Sequence, residues 1–232
     1  VEILDTNENS EYRIVFLDDE KGQILHEATI KANHWTKCFI EYYVKWKIDI
    51  YKNGDLIHSE LFDLEGKDVF IGVESKSLGD MLAWVPYVEE FRKKHNCNIQ
   101  IATFNNDLFD YPELKFVDNA SNTFATYRIG WFYNDGTINR FKNPLDPKEQ
   151  EMQKTASDIL GLDYAPIKPI IKLPKVIKKE TVTLGIHSTT QAKYWNNKEG
   201  WQSVVDYINS IDYKPIILSN EPNGYMGNYY PE

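Results

Sequence analysis

Residues 69–91 read VFIGVESKSLGDMLAWVPYVEEF. The segment 69–74 is short and nearly continuously apolar, as a strand of a covered sheet is, and from Met81 onward the spacing changes. Met81, Trp84, Val85, Val88 and Phe91 recur every three or four residues, which predicts one buried face of a helix. Small polar residues, Ser75, Lys76, Ser77, Gly79 and Asp80, separate the two. NIQIATF (98–104) and LKFV (114–117) supply two more short strands. Strand, helix, strand at this spacing predicts the βαβ unit of a parallel sheet covered by helices. Pro86 lies inside the helical pattern, so the helix is expected to begin near it or to bend there.

Upstream, YRIVFLD (12–18), QILHEATIK (23–31), CFIEYYV (38–44) and WKIDIYKNGDLIHSELF (46–62) are rich in β-branched and aromatic residues. Asn53-Gly54 is a strong hairpin signal, because both positions tolerate the positive φ of a tight turn. Residues 1–67 thus predict a small antiparallel β module. Its first 20 residues carry Glu2, Asp5, Glu8, Glu11, Asp18, Asp19 and Glu20 against Arg13 alone, a pattern typical of a solvated edge. Downstream, residues 128–142 predict a second hairpin turned at Asp135-Gly136 and inserted in the α/β domain of residues 68–164. A helix is expected between Pro147 and Leu160. APIKPIIKLPKVIKK (165–179), with three prolines and five lysines, reads as an extended linker over residues 165–180. TVTLGI, KEGWQSVVDYINSI and KPIILSN then start a second α/β domain over residues 181–232.

The chain has 232 residues, 42% of them hydrophobic, with a formal charge of −9. That charge argues against a nucleic-acid partner, whose binding depends on neutralising phosphates. Apolar runs fall far short of the roughly 20 residues that span a bilayer, so a soluble, cytoplasmic protein is expected. Cys38 and Cys97 are too few for a disulfide framework or a thiolate metal site. The start at Val1 and the end at GYMGNYYPE, just after a strand-like segment, suggest a piece of a longer protein.

Ligands of open α/β sheets sit where loops leave the carboxyl ends of strands. Two polar loops fall there. In HSTTQAKYWNNKEGW (187–201), Ser188, Thr189, Thr190 and Lys193 precede a helix start marked by Asn196 or Asn197 with Glu199. Hydroxyls, a lysine and free N–H groups at a helix amino end suit a diphosphate; equally, the hydroxyls could only satisfy the loop backbone. No GxxxxGK[ST] or GxGxxG fingerprint occurs. In the first loop Gly79 would permit a tight turn, and Asp80 has two readings: a helix cap worth about 1 kcal/mol that Asn replaces, or a general base worth roughly 10²- to 10⁴-fold in rate that Asn cannot replace.

SKSLGDMLAWVPYVEEF (75–91) resembles the GD-x-(L/I)…P loop of the family 9 glycosyltransferases, the ADP-heptose heptosyltransferases, and HSTTQAKYWNNKEGWQSVVDYI (187–208) resembles their donor loop. With YRIGWFYNDG and KTASDILGL, these blocks are similar to the bacterial autotransporter O-heptosyltransferases, and the likeness covers most of residues 68–228. The resemblance implies a GT-B fold: a Rossmann-like acceptor-side domain and the start of a Rossmann-like donor domain, with the active site in the cleft between them. It implies Asp80 as the base, with Ser77 and Gly79 in its loop, and Lys193, Thr189, Thr190, Ser188 and, more weakly, His187 at the donor diphosphate. The implied reaction moves heptose from ADP-heptose to serine hydroxyls of an autotransporter adhesin. It needs no cofactor in this chain; the family's iron would be held by cysteines beyond residue 232. Large homo-oligomers are implied as well. Competing expectations are another GT-B nucleotide-sugar transferase or epimerase, and a noncatalytic carbohydrate- or protein-binding module.

Overall fold

The computed structural model describes residues 1–173, 179–186, 188, 191–195, 197 and 199–218. The chain forms two compact units, one of residues Val1–Lys172 and one that begins at Leu173.

The first unit opens with an antiparallel sheet of β1 (Glu11–Asp18), β2 (Gln23–Lys31), β3 (Trp46–Lys52) and β4 (Asp55–Leu61), in the order β2-β1-β3-β4. Alternation along β1 turns Tyr12, Ile14 and Phe16 inward, where they meet Ala32 and Ile50 in a small core. The turn from β3 to β4 falls at Asn53 and Gly54, with φ of 54° and 91°, the left-handed pair expected of that dipeptide.

CFIEYYV departs from its expected strand. Residues 38–44 pair with no strand among the described residues; they run as a strap onto the α/β layer. The Glu41 N–H donates to the Phe141 carbonyl at 2.7 Å and the Tyr43 N–H to the Ile159 carbonyl at 2.8 Å. The Tyr43 ring packs on Phe91, His95 and Tyr127, at 5.6, 4.6 and 6.1 Å between ring centres. Aromatic content that resembles a strand in the sequence is used here to fill the neighbouring core.

That core belongs to the βαβ unit. β5 (Asp68–Val73), α1 (Leu78–His95), β6 (Asn98–Ala102), β7 (Leu114–Phe116) and β8 (Ala125–Ile129) build an all-parallel sheet in the order β7-β6-β5-β8. Met81, Trp84, Val85, Val88 and Phe91, the expected helical face, are all buried with Val69, Ile71, Ile99, Ile101 and Ile129. The helix begins at Leu78, well ahead of Pro86, and continues through it. Residues 128–129 are the end of β8, so the inserted hairpin is smaller than expected, confined to β9 (Tyr133–Asn134) and β10 (Thr137–Ile138) around Asp135 and Gly136, φ 49° and 80°. A short 3-10 turn at Pro147–Glu149 and α2 (Met152–Ile159) follow. The Trp84 indole N–H donates to the Met152 carbonyl at 2.8 Å and ties α1 to α2.

Residues 165–172 are extended, as expected of a proline-rich segment, but they are bonded along the first unit. The Tyr87 hydroxyl donates to the Ala165 carbonyl at 2.7 Å, Gln153 holds Ile167 through both its amide atoms, and the Lys172 N–H donates to the Leu108 carbonyl at 2.9 Å.

The second unit contains β11 (Thr181–Gly185), α3 (Gly200–Ser210) and β12 (Lys214–Leu218). β11 and β12 pair in parallel, and Leu184, Ile186, Val205 and Ile208 bury together, as one βαβ turn requires. Among the described residues no helix is long and apolar enough to cross a membrane.

Candidate active site

The strand order places β6 and β7 on one side of β5 and β8 on the other. A parallel sheet wound in both directions from one strand leaves a crevice at that strand's carboxyl end. Residues 74–77 leave β5 there and lead into α1. The adjoining end of β8 lies close: a Cβ on Gly130 would stand 3.1 Å from the Glu74 Cβ and 3.0 Å from the Phe132 ring. The Glu74 N–H donates to the Ile129 carbonyl at 2.8 Å, and the Glu74 carboxylate pairs with Arg128. Beside it a cavity of about 590 Å³ is lined by Phe70, Gly72, Glu74, Thr103, Phe104 and Arg128, among others.

Asp80 is the third residue of α1 and half-buried. Its carboxylate accepts a hydrogen bond from the Ser75 hydroxyl at 2.6 Å. A capping aspartate would take a backbone N–H of the first helical turn. Here the N-cap position is Ser77, with φ −69° and ψ 126°, whose own hydroxyl makes no capping bond. The capping reading of Asp80 therefore gives way: its side chain is bonded across the loop to another side chain. Ser77 contributes its backbone, its N–H donating to Ser75 Oγ at 3.1 Å and its carbonyl accepting from the Met81 N–H at 3.2 Å. Gly79 does not serve a tight turn. It lies within α1 outside the left-handed region, and an added Cβ would meet nothing nearer than Ser77 Oγ at 3.8 Å. Lys76 stands over the exposed Phe104 ring at 5.6 Å, putting a cation and an aromatic face on the same rim.

In the second unit, Ser188 is half-buried and its carbonyl accepts from the Tyr194 hydroxyl at 2.7 Å. Lys193 is exposed at the end of a 3-10 turn over Gln191–Lys193. The start of α3 is capped by Asn197, whose side-chain oxygen accepts from the Glu199 and Gly200 N–H groups at 3.0 and 2.9 Å. The candidates His187, Thr189, Thr190 and Asn196 lie outside the described residues. Gly200 has a steric reason: a Cβ there would fall 2.6 Å from the Trp195 ring.

Ser75 has no role legible from the sequence alone. A hydroxyl at the strand end, five positions before the acid, was the available signal.

The described residues do not fit a metal. No cluster of three His, Cys, Asp or Glu side chains occurs among them. Cys38 packs against the small β core, whereas Cys97 is buried in the α/β core, where burial pushes its thiol up to about 11, unsuited to thiolate ligation.

No protein-family model matches the chain. It is 33% identical over 236 residues to autotransporter heptosyltransferase Aah of Escherichia coli, covering 95% of this chain and 59% of that protein. It is 30% identical to autotransporter heptosyltransferase BAHTCr of Citrobacter rodentium, covering 95% of this chain and 56% of the relative. A more distant relative, BimC of Burkholderia thailandensis, 25% identical with 78% of this chain and 45% of its own length covered, is named an inactive autotransporter heptosyltransferase. Among solved structures, the dodecameric iron-containing heptosyltransferase TibC of enterotoxigenic E. coli, in complex with ADP-D-β-D-heptose, superposes with a TM-score of 0.81 at 25% identity, covering 99% of this chain and 62% of that one. The chain thus spans less than two thirds of the length of the relatives it matches. Alike in sequence over 95% of its length and alike in fold, the chain is a homologue of the autotransporter heptosyltransferases.

Proposed function

We propose that this chain is part of a GT-B glycosyltransferase that moves heptose from ADP-heptose to serine hydroxyls of an autotransporter adhesin. The observation that carries this reading is the superposition of 99% of the chain on a heptosyltransferase crystallised with ADP-heptose. Support for the chemistry comes from Asp80, a carboxylate at the carboxyl end of a parallel strand whose hydrogen bond runs to a side chain and not to a helix N–H. In the proposed step, the acceptor oxygen bonds to the anomeric carbon of the donor, and its proton passes to the Asp80 carboxylate. The bond from that carbon to the diphosphate breaks, and its electron pair leaves with ADP. Lys193, with Ser188, Thr189, Thr190 and His187, holds the departing charge, so electrostatic stabilisation takes the place of a metal in this chain. Free thiols at Cys38 and Cys97 suit a cytoplasmic enzyme. The dodecamer of TibC makes a homo-oligomer the expected assembly of the whole protein.

The test is Asp80→Asn in the full-length protein, coexpressed with an adhesin passenger fragment whose mass is measured. Turnover falls at least about a hundredfold with the melting temperature nearly unchanged. Near wild-type turnover removes Asp80 from the mechanism.

A second reading is a binding protein that keeps the fold without the chemistry, favoured by the relative named inactive. In that case neither the wild type nor the variant adds mass to the passenger fragment, although ADP-heptose still gives a calorimetric binding signal.

A further inference from the structure

We infer that Ser75 is a positioning residue for the Asp80 carboxylate, an inference that rests on the reading of Asp80 as the base. The loop contains a directed relay of two hydrogen bonds. The Ser77 N–H donates to Ser75 Oγ at 3.1 Å, and Ser75 Oγ donates to Asp80 Oδ2 at 2.6 Å. A backbone N–H can only donate and an ionised carboxylate can only accept, so the single proton of the Ser75 hydroxyl goes to Asp80. Ser77 in turn is anchored to the helix, because its carbonyl accepts from the Met81 N–H at 3.2 Å, and Met81 is fully buried. The orientation of the carboxylate is therefore set by buried structure through Ser75.

The consequence is a division of labour between the two carboxylate oxygens. Oδ2 is occupied by Ser75, and Oδ1 carries no hydrogen bond among the described residues. A carboxylate on a freely rotating side chain would present either oxygen in many directions; here one is held by Ser75, which restrains the other as well. A short hydrogen bond to a charged acceptor is also of the stronger kind. Orientation of this sort acts on the rate of the bound complex, since a misplaced base costs turnover without loosening substrate. Threonine preserves the hydroxyl at the same atom, whereas alanine removes it and leaves the loop's Ser77 N–H without its partner.

The experiment measures kcat and KM of the full-length protein with ADP-heptose and an adhesin passenger fragment for Ser75→Ala, Ser75→Thr, Asp80→Asn and the Ser75→Ala/Asp80→Asn double variant, each with its melting temperature. Ser75→Ala is expected to lower kcat roughly tenfold with KM within about twofold, and Ser75→Thr to recover most of the loss. In the Asp80→Asn background, Ser75→Ala has no further effect, because the two residues act as one unit. Unchanged kcat in Ser75→Ala, failure of threonine to restore it, or an additive loss in the double variant overturns the inference while leaving Asp80 in place. An active Asp80→Asn instead overturns the base reading and the inference with it. Should Ser75→Ala melt early, the threonine variant and the double variant still decide the matter.

Discussion

His95, in the last turn of α1, shows what burial does to a single titratable group. Its ring lies 4.6 Å from Tyr43 and 4.4 Å from Phe91, and its Nε2 is buried without a hydrogen-bond partner among the described residues. Burial pushes its pKa down from 6.5 to about 4, the charge of Lys94 adding to the effect and Asp63 opposing it. A base with a depressed folded pKa takes up its proton more readily in the unfolded chain. Its contribution is thus intact above about pH 6.5 and is lost as the pH falls toward 4. Wild type is expected to lose stability relative to His95→Phe between pH 7 and pH 4, read from urea midpoints at each pH; parallel curves would show that His95 does not titrate in this window. At this scale sequence and structure meet unevenly. Asp80 was legible as an acid at a helix start, but whether it caps or is held across the loop depends on a rotamer that spacing does not encode. Ser75 was visible and unassigned for the same reason, since its role exists only through the 2.6 Å contact.

The elements were legible where periodicity is strong. The three- and four-residue spacing from Met81 to Phe91 gave α1 and its buried face, and the two Asn-Gly and Asp-Gly turns fell where positive φ is found. CFIEYYV was misread because a strap that packs aromatics into a core has the same composition as a strand, and only its hydrogen bonds, to Phe141 and Ile159, distinguish them. The hairpin at 128–142 was read too long because Arg128 and Ile129 pair with a strand distant in sequence. A joint between elements makes a sharper prediction. Trp84 is 1% exposed, and its indole N–H bonds the Met152 carbonyl. Trp84→Phe keeps an aromatic ring in the core but removes that hydrogen bond between the helices, so the first unit is expected to lose about 0.5–1.5 kcal/mol in urea unfolding. No loss would mean that α1 and α2 are held by apolar packing alone.

At the scale of the molecule, the β module and the α/β layer share a seam in which Phe62 stacks on Phe124, the Glu41 N–H reaches the Phe141 carbonyl and the Tyr43 ring enters the core. Tyr43 enters the larger core from a segment that precedes β5, and Gly161 makes room for it: with φ 61° at that glycine, an added Cβ would lie 2.4 Å from the tyrosine ring. Removing residues 1–67 takes the ring away and opens a void against Phe91, His95 and Tyr127. A fragment of residues 68–172 is expected to show no sharp thermal transition by circular dichroism, whereas residues 1–172 melt cooperatively; a cooperative 68–172 fragment would show the ring to be dispensable. The seam suggested by the change of sequence pattern near residue 68 is consequently a poor place to cut or to recombine. An engineer who grafts this α/β scaffold onto another leader has to carry the chain back at least to Cys38, and a lineage that exchanges the leader has to exchange the glycine socket with it.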